Sequence, residues 1–200
     1  MKLVLASKNQ GKLREMQAIL GAMNVRVLLE SEVGIDLDVE ETGTTFEENS
    51  RLKAEAVMRA CGLPAIADDS GLVADALGGA PGVYSARFGN LDSDEARTAY
   101  LLEKMADVPE ENRTARFVSV ITCCFPDGRT ISARGVCEGR ITREPRGTGG
   151  FGYDPVFLVP ETGKTFSEMT AEEKNRISHR AAALRSFSKL LKKEYFHADK

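Results

Sequence analysis

The chain changes from apolar to acidic within Leu63-Pro64-Ala65-Ile66-Ala67-Asp68-Asp69-Ser70-Gly71, the stretch that decides the fold. The apolar run predicts a buried strand that stops at the two carboxylates, and ligands of α/β proteins usually bind at the carboxyl end of such a strand. Two adjacent buried carboxylates need a compensating cation or proton, and Mg²⁺, which prefers oxygen ligands, would provide one. A capping aspartate beside a solvated one, at a strand-to-turn junction, is the simpler alternative.

Composition places the chain among ordinary globular proteins. Its 200 residues are 42% hydrophobic and 28% charged. A chain of this length can form one domain that buries a core without the help of disulfides or bound metals. The net charge of −3 argues against a dedicated nucleic-acid binder, and no apolar run approaches the length of a membrane span. The four cysteines lack CxxC and zinc spacings and predict buried thiols in a reducing compartment. We therefore expect a cytoplasmic protein without nucleic-acid or membrane partners.

A strand, a polar turn and a helix follow one another at the start of the chain. Residues 2–6 predict a short buried strand, residues 7–11 a turn, and the residues after them a helix that stops at Gly21. The first turn of such a helix offers backbone N–H groups to an anion, and Lys8 and Lys12 flank it. The turn is not a Walker loop, because the second glycine and the Lys-Ser/Thr pair are missing. An ordinary βα turn is the alternative.

Capping boxes mark two further helices. Overlapping boxes in Thr44-Thr45-Phe46-Glu47-Glu48 predict a helix that ends at Gly62. Another box at residues 170–173 predicts a helix that is interrupted near Ser178. On the first of these helices, Lys53 is either a solvated lysine, the commoner case, or a cation that points toward the acidic residues.

A long hairpin completes the predicted sheet. Two strand-like runs, residues 114–125 and 130–137, flank the turn residues Pro126-Asp127-Gly128. The combination of βα units with this hairpin predicts an α/β fold with a mixed, partly antiparallel sheet flanked by helices. We expect a single domain over residues 1–200, with two lobes around a central substrate cleft.

An aromatic side chain stands out in the glycine-rich loop at residues 147–154. Phe151 lies between two glycines, so its ring could stack on a nucleotide base, although a hydrophobic pin that anchors the loop is the alternative. His179 is by default a packing or capping histidine. Beside Phe151, it could instead join Arg180 as a pair of donors to a base edge.

Seven motifs follow one another along the chain. They are Ala6-Ser7-Lys8-Asn9-Gln10-Gly11-Lys12, Glu40-Glu41-Thr42-Gly43, Phe46-Glu47-Glu48-Asn49, Ala67-Asp68-Asp69-Ser70-Gly71, Gly78-Gly79-Ala80-Pro81-Gly82-Val83-Tyr84-Ser85-Ala86-Arg87, Gly147-Thr148-Gly149-Gly150-Phe151-Gly152-Tyr153-Asp154-Pro155 and Ile177-Ser178-His179-Arg180. In order and spacing they resemble the inosine triphosphate pyrophosphatase family. The resemblance covers residues 2–192, and the tail from Glu194 onward has no counterpart in it.

The resemblance implies a Mg²⁺-dependent homodimer that hydrolyses ITP, dITP and XTP to the monophosphate and pyrophosphate. It implies that Asp69 is the general base and holds the metal together with Glu41, with Glu40 as a further candidate ligand. The implied phosphate and substrate contacts are Ser7, Lys8, Asn9, Gln10, Gly11, Lys12, Lys53, Ser70 and Lys174. The implied base contacts are Phe151, Gly152, Tyr153, Asp154, His179 and Arg180.

The implied base contacts agree with the chemistry of the substrates. Hypoxanthine and xanthine carry a 6-oxo acceptor where adenine carries an amine, so donors such as Arg180 and His179 would favour them over adenine. Guanine also carries the 6-oxo group, and its rejection needs another contact that the sequence does not reveal.

Three alternatives stay open at this stage. A related pyrophosphatase for pyrimidine triphosphates would share the phosphate and metal motifs and differ in the base pocket. A nucleotide sensor would bind without turnover, although intact Glu41, Asp69 and Lys53 argue against it. A structural or interaction domain would leave the glycine loops and carboxylates unexplained.

Overall fold

The computed structural model describes residues 1–196, with side chains described through Glu194. The tail beyond Phe196, for which the sequence predicted no role, lies outside the described residues. The strands are β1 (Lys2–Leu5), β2 (Arg26–Leu29), β3 (Ala65–Ala74), β4 (Thr114–Cys124), β5 (Thr130–Ile141), β6 (Phe157–Val159) and β7 (Lys164–Thr165). The helices are α1 (Gln10–Leu20), α2 (Phe46–Cys61), α3 (Asp94–Lys104), α4 (Ala171–Ile177) and α5 (His179–Leu191), with a π-helical turn at Lys192–Phe196.

The strands form one mixed sheet in the order β2-β1-β3-β4-β5-β6-β7. Strand β1 pairs in parallel with β2 and β3, whereas β5 and β6 pair antiparallel, as do β6 and β7. The predicted mixed, partly antiparallel sheet flanked by helices is therefore confirmed. Strand β7 was not predicted, because two residues are too few to show a period.

The described chain forms two compact units. The first comprises Met1–Asp69, Ser119–Gly135 and the residues from Arg180 on, and the second comprises Ser70–Val118 and Val136–His179. The single domain with two lobes around a central cleft stays a prediction.

Strand β3 corrects the prediction made for the two adjacent aspartates. It runs from Ala65 to Ala74, so Asp68 and Asp69 lie within the strand and not at its carboxyl end. The strand continues because Leu72 and Ala74 are fully buried in the second unit's core, and a turn at Gly71 would expose them. The alternative of a capping aspartate at a strand-to-turn junction is wrong for the same reason.

Local signals placed the helices well. Thr45 and Glu48 form the capping box that begins α2, and Gly62, with a φ of 67°, ends it in the left-handed conformation that favours glycine. The box at Thr170 begins α4, and Ser178 separates α4 from α5, as predicted. The hairpin of β4 and β5 is confirmed, with β5 extending beyond the predicted end to Ile141.

Each unit has its own apolar core. In the first unit, Met16 and Leu20 of α1 and Phe187 of α5 pack with Leu5 and Ile66 of the central strands. In the second unit, aromatic rings dominate the core, and the centroids of Phe117 and Phe157 lie 4.6 Å apart. None of the helices within residues 1–196 has the length and apolar character that crossing a membrane requires.

Candidate active site

The loop between β1 and α1 presents the start of a helix in the first unit. Asn9 caps α1 because its Oδ1 accepts the N–H of Lys12 at 3.0 Å, and Ser7 Oγ accepts the N–H of Asn9 at 3.2 Å. The N–H groups of a first helical turn lack partners within the helix, and the helix dipole adds positive potential there. This end of α1, with Gln10 and Gly11 in its first turn, can therefore bind a phosphate.

Two lysines, one in this loop and one in the first turn of α1, have different surroundings. The Nζ of Lys12 donates to the carbonyl of Asp68 at 3.0 Å and lies 3.2 Å from the carboxylate of the same residue. Burial lowers the pKa of Lys12, and the charge of Asp68 opposes that shift. Lys8, whose side chain is 66% exposed, pairs with Asp36 at 2.5 Å. An exposed pair contributes little free energy, so an incoming phosphate can compete for Lys8.

Lys53 of α2 joins two carboxylates. Its Nζ lies 2.7 Å from Oε1 of Glu41 and 2.7 Å from Oδ1 of Asp69. Burial alone would lower the pKa of Lys53, but the two carboxylates outweigh it and the pKa lies above its ordinary value. Burial raises the pKa of Asp69, and the ammonium of Lys53 only partly opposes that rise. The choice left open by the sequence is therefore settled: Lys53 faces the acidic residues.

One carboxylate oxygen of Asp69 forms no hydrogen bond within the described residues. Its Oδ2 is buried and has no hydrogen-bond partner within residues 1–196. Glu40 is exposed, whereas Glu41 shares Lys53 with Asp69. No cluster of three acidic, histidine or cysteine ligands occurs in the described part of the chain. Two carboxylates suit Mg²⁺, which is commonly held by one or two protein carboxylates together with substrate phosphates and water.

Asp68 is the centre of a buried ion network. Its Oδ2 accepts Nε of Arg180 at 2.9 Å, and its Oδ1 accepts the hydroxyl of Ser119 at 2.7 Å. Nη1 of Arg180 donates to Glu15. Burial would lower the pKa of Arg180, but these carboxylates raise it above its ordinary value. Arg180 is 2% exposed, and the partners described for its guanidinium are Asp68 and Glu15. The base contact predicted for Arg180 from the sequence stays a prediction.

A cavity of about 280 Å³ lies beside Lys53 and Glu41 in the first unit. Its walls include the predicted side chains of Ser7, Lys8, Lys12, Glu41 and Lys53, together with Ala6, Glu30, Leu37, Asp38 and Val39. The structure thus brings five of the predicted phosphate and metal residues of this unit together around one space.

The glycine-rich loop of the second unit holds a cation against an aromatic ring. The Nζ of Lys174 lies 4.6 Å from the ring centroid of Phe151 and donates to Asp154 at 2.6 Å. Asp154 also accepts the N–H of Phe151 at 3.0 Å. A Cβ on Gly150 would lie 2.1 Å from the Asp154 carboxylate, so only glycine allows this close approach.

Two predicted base contacts are packed into the core of the second unit. The hydroxyl of Tyr153 donates to the carbonyl of Ser85 at 2.8 Å, and burial raises the pKa of Tyr153. The His179 ring stacks on Phe117 with centroids 4.6 Å apart and 12° between planes. His179 is 4% exposed, as the packing alternative predicted. Direct contact of either side chain with a base stays a prediction.

Several residues of the two units were missed by sequence reasoning. Glu15, Ser119 and Asp36 partner predicted residues of the first unit. Asp94 accepts the N–H of Gly152 in the second. Each bond other than Lys8–Asp36 joins segments more than fifty residues apart, and no local pattern signals such a pair. Ser70, for which a substrate contact was predicted, is half-buried in β3.

Comparison with known proteins identifies the chain. A sequence profile of the Ham1 family matches residues 3–190. The chain belongs to the Ham1 family. The resemblance predicted from the seven motifs is thereby confirmed over nearly the whole chain.

Known relatives are similar in sequence, and a solved structure is similar in fold. A dITP/XTP pyrophosphatase of Symbiobacterium thermophilum is 55% identical over 186 residues, covering 92% of this chain and 91% of the relative. A dITP/XTP pyrophosphatase of Thermus thermophilus is 52% identical, covering 93% and 89%. The solved structure of the Staphylococcus aureus Ham1 protein superposes with a TM-score of 0.87 at 43% identity, covering 97% of this chain and 100% of that one.

Proposed function

We propose that this Ham1 protein hydrolyses the non-standard purine nucleoside triphosphates ITP, dITP and XTP to the monophosphate and pyrophosphate, and so removes them from the nucleotide pool. Relatives that are more than 50% identical carry the name dITP/XTP pyrophosphatase. The observation that carries the proposal is the Lys53 ammonium between Glu41 and Asp69, which lies beside a cavity bordered by further lysines. Phosphoryl transfer depends mainly on this kind of positioning and charge neutralisation.

Glu41 and Asp69 would hold a divalent metal, for which we propose Mg²⁺, with Glu40 as a further candidate ligand. The buried Oδ2 of Asp69 supports this assignment, because a buried carboxylate oxygen without a partner is costly unless a ligand fills its place. When bound, Mg²⁺ would neutralise charge that develops on the phosphate oxygens.

The side chains of the first unit would divide the chemistry among them. Asp69 would orient a water molecule and accept its proton as the water oxygen attacks the α-phosphorus. The bond from that phosphorus to the bridging oxygen then breaks, and pyrophosphate leaves. Lys53 would neutralise the phosphate oxygens. Ser7, Lys8 and Asn9 of the loop after β1, and Gln10, Gly11 and Lys12 at the start of α1, would bind the triphosphate through N–H groups, hydroxyl and ammonium. Ser70, at the start of the second unit, would add a substrate contact.

The second unit would select the base. The Phe151 ring would stack on the purine. Lys174, which lies over that ring, would keep positive charge beside it and, as predicted from the sequence, would bind phosphate. Gly152, Tyr153 and Asp154 would shape this loop, and His179 would support it through its stack on Phe117. A direct contact from Arg180 to the base remains part of the proposal.

We further propose that the enzyme works in the cytoplasm as a homodimer, without nucleic-acid or membrane partners. The family resemblance and the composition support this part of the proposal. Light scattering after size-exclusion chromatography tests the dimer, and a mass of one chain would overturn it.

A substrate panel tests the function directly. ITP, dITP, XTP, GTP, ATP and dTTP would be incubated with and without Mg²⁺, and pyrophosphate and orthophosphate would be measured separately. We expect pyrophosphate from the first three, and none after EDTA. Orthophosphate with a diphosphate product would overturn the assigned bond cleavage. Preferred release from dTTP would indicate a pyrimidine enzyme, and binding without turnover would indicate a sensor.

A further inference from the structure

The loop that carries Phe151 is fastened at its tip by a carboxylate of α3. The N–H of Gly152 donates to Oδ2 of Asp94 at 2.7 Å, although 58 positions separate the two residues. The hydroxyl of Thr98, one turn further along α3, lies 3.4 Å from the Gly152 carbonyl. Both backbone polar groups of Gly152 therefore face the same helix.

The carboxylate of Asp94 is itself held in place. Its Oδ1 accepts Nη2 of Arg97, and Nη1 of Arg97 donates to the carbonyl of Leu91 at 2.7 Å. The Arg97 side chain is 14% exposed, so surrounding atoms restrict it. One oxygen of Asp94 is thus fixed by Arg97, and the other is directed at the glycine-rich loop.

A role in the helix alone does not explain this arrangement. Acidic residues in a first helical turn interact favourably with the helix dipole, and Asp94 and Glu95 share that position in α3. Ser93 already caps the helix, because its hydroxyl accepts the N–H of Ala96 at 3.1 Å. The bond to Gly152 therefore adds something that α3 does not need for its own stability.

We propose that Asp94 is a positioning residue for base selection. By fixing the Gly152 peptide, it sets the orientation of the adjacent Phe151 ring. A stacking ring that is held in one orientation discriminates between bases better than a mobile one, because the free-energy cost of ordering it has been met before binding. This inference rests on the proposed function, since it assigns base recognition to the Phe151 loop.

Three variants separate positioning from helix stability. Asp94→Ala removes the acceptor, Asp94→Asn keeps an oxygen that can accept the Gly152 N–H, and Glu95→Ala removes a matched charge from the same helical turn. For each variant, kcat and KM are measured with XTP, ITP and GTP, together with the thermal midpoint. Hydrogen exchange of the Gly152 amide, followed by NMR, reports the bond itself without substrate.

We expect Asp94→Ala to raise KM for XTP and ITP by about tenfold, because binding must then order a loop that one hydrogen bond to a charged group no longer fixes. The XTP-to-GTP ratio of kcat/KM should fall, kcat should stay within about threefold, and Gly152 exchange should become faster. Asp94→Asn should recover most of the ratio, and Glu95→Ala should match the wild type.

Other outcomes overturn the inference. An unchanged ratio in an active, folded Asp94→Ala enzyme would do so, as would an equal loss in Glu95→Ala. A wild-type protein that releases no pyrophosphate from ITP or XTP would overturn the proposed function instead, and base selection by Asp94 with it. Exchange of Gly152 would in that case still show whether the bond forms in solution.

Discussion

The Nζ of Lys53 lies 2.7 Å from Oδ1 of Asp69, and the second carboxylate oxygen of Asp69 is buried without a hydrogen-bond partner in the described chain. A carboxylate fixed at one oxygen by a cation presents the other in a defined direction. For a general base, orientation matters as much as pKa, because the proton must be within hydrogen-bond reach when it is transferred. The pair thus supports the proposed role of Asp69 in water activation.

The variant Asp69→Asn should remove most turnover and leave the fold intact. Asparagine has nearly the same shape, but it cannot accept the proton and is a weaker metal ligand. We expect kcat for ITP to fall by about 10²–10⁴-fold, the usual contribution of a general base. Asp92→Asn, at an exposed carboxylate, serves as the control and should match the wild type. If Asp69→Asn kept more than about a tenth of the activity, the base would lie elsewhere.

Replacement of Lys53 by alanine should slow the reaction and weaken triphosphate binding. The variant removes the cation that joins Glu41 and Asp69 and that, in the proposed function, neutralises the substrate phosphates. Loss of one charged hydrogen bond predicts a decrease in kcat/KM of about 10- to 100-fold. Arg51→Ala, at a side chain 65% exposed on the same helix, should leave kcat/KM unchanged. Equal values of kcat/KM for the two variants would mean that Lys53 takes no part in binding or catalysis.

The helices could be predicted from the sequence because their signals are local. The capping boxes at Thr45 and Thr170 each satisfy N–H groups within three residues, so the pattern and the structure are set by the same few atoms. The end of β3 could not be predicted in this way. Whether a strand continues past Gly71 depends on what buries Leu72, and that is decided by residues distant in sequence.

The same limit applies to the site. The motifs indicated which residue types are needed, and the structure places five of the predicted residues of the first unit around one cavity. The partners of Arg180 were not predictable, because Asp68 and Glu15 lie 112 and 165 positions away from it. An arginine beside a histidine was therefore interpreted as a base donor, while its burial among carboxylates remained invisible in the sequence.

Tyr153→Phe should change stability and leave catalysis unaffected. The variant removes the hydroxyl that donates to the Ser85 carbonyl and leaves that carbonyl buried. We expect the free energy of unfolding, measured by urea denaturation, to fall by about 1–3 kcal/mol, the cost of a buried acceptor without a partner. The value of kcat/KM for XTP should stay within about twofold of wild type. A large loss of activity at unchanged stability would instead mean that the hydroxyl contacts the substrate.

Arg180 provides the sharpest test of the buried ion network. Arg180→Ala leaves Glu15 and Asp68 in the interior without their shared cation. Removing one member of a buried pair destabilises proteins by about 3–5 kcal/mol, so the thermal midpoint should fall clearly. Arg176→Ala, which breaks a pair whose arginine is 73% exposed, should change the free energy of unfolding by less than about 0.5 kcal/mol.

The variant Arg180→Lys separates structural support from base recognition. Lysine keeps the charge, but its single ammonium cannot reproduce the two directions in which the guanidinium donates to Asp68 and Glu15. If Arg180 acts through this network, Arg180→Lys should lower the thermal midpoint, slow ITP and ATP to the same degree, and leave their ratio of kcat/KM unchanged. A direct bond to the 6-oxo group requires the opposite result. The ratio would then fall by about tenfold, because ATP lacks that acceptor, and the thermal midpoint would hardly move.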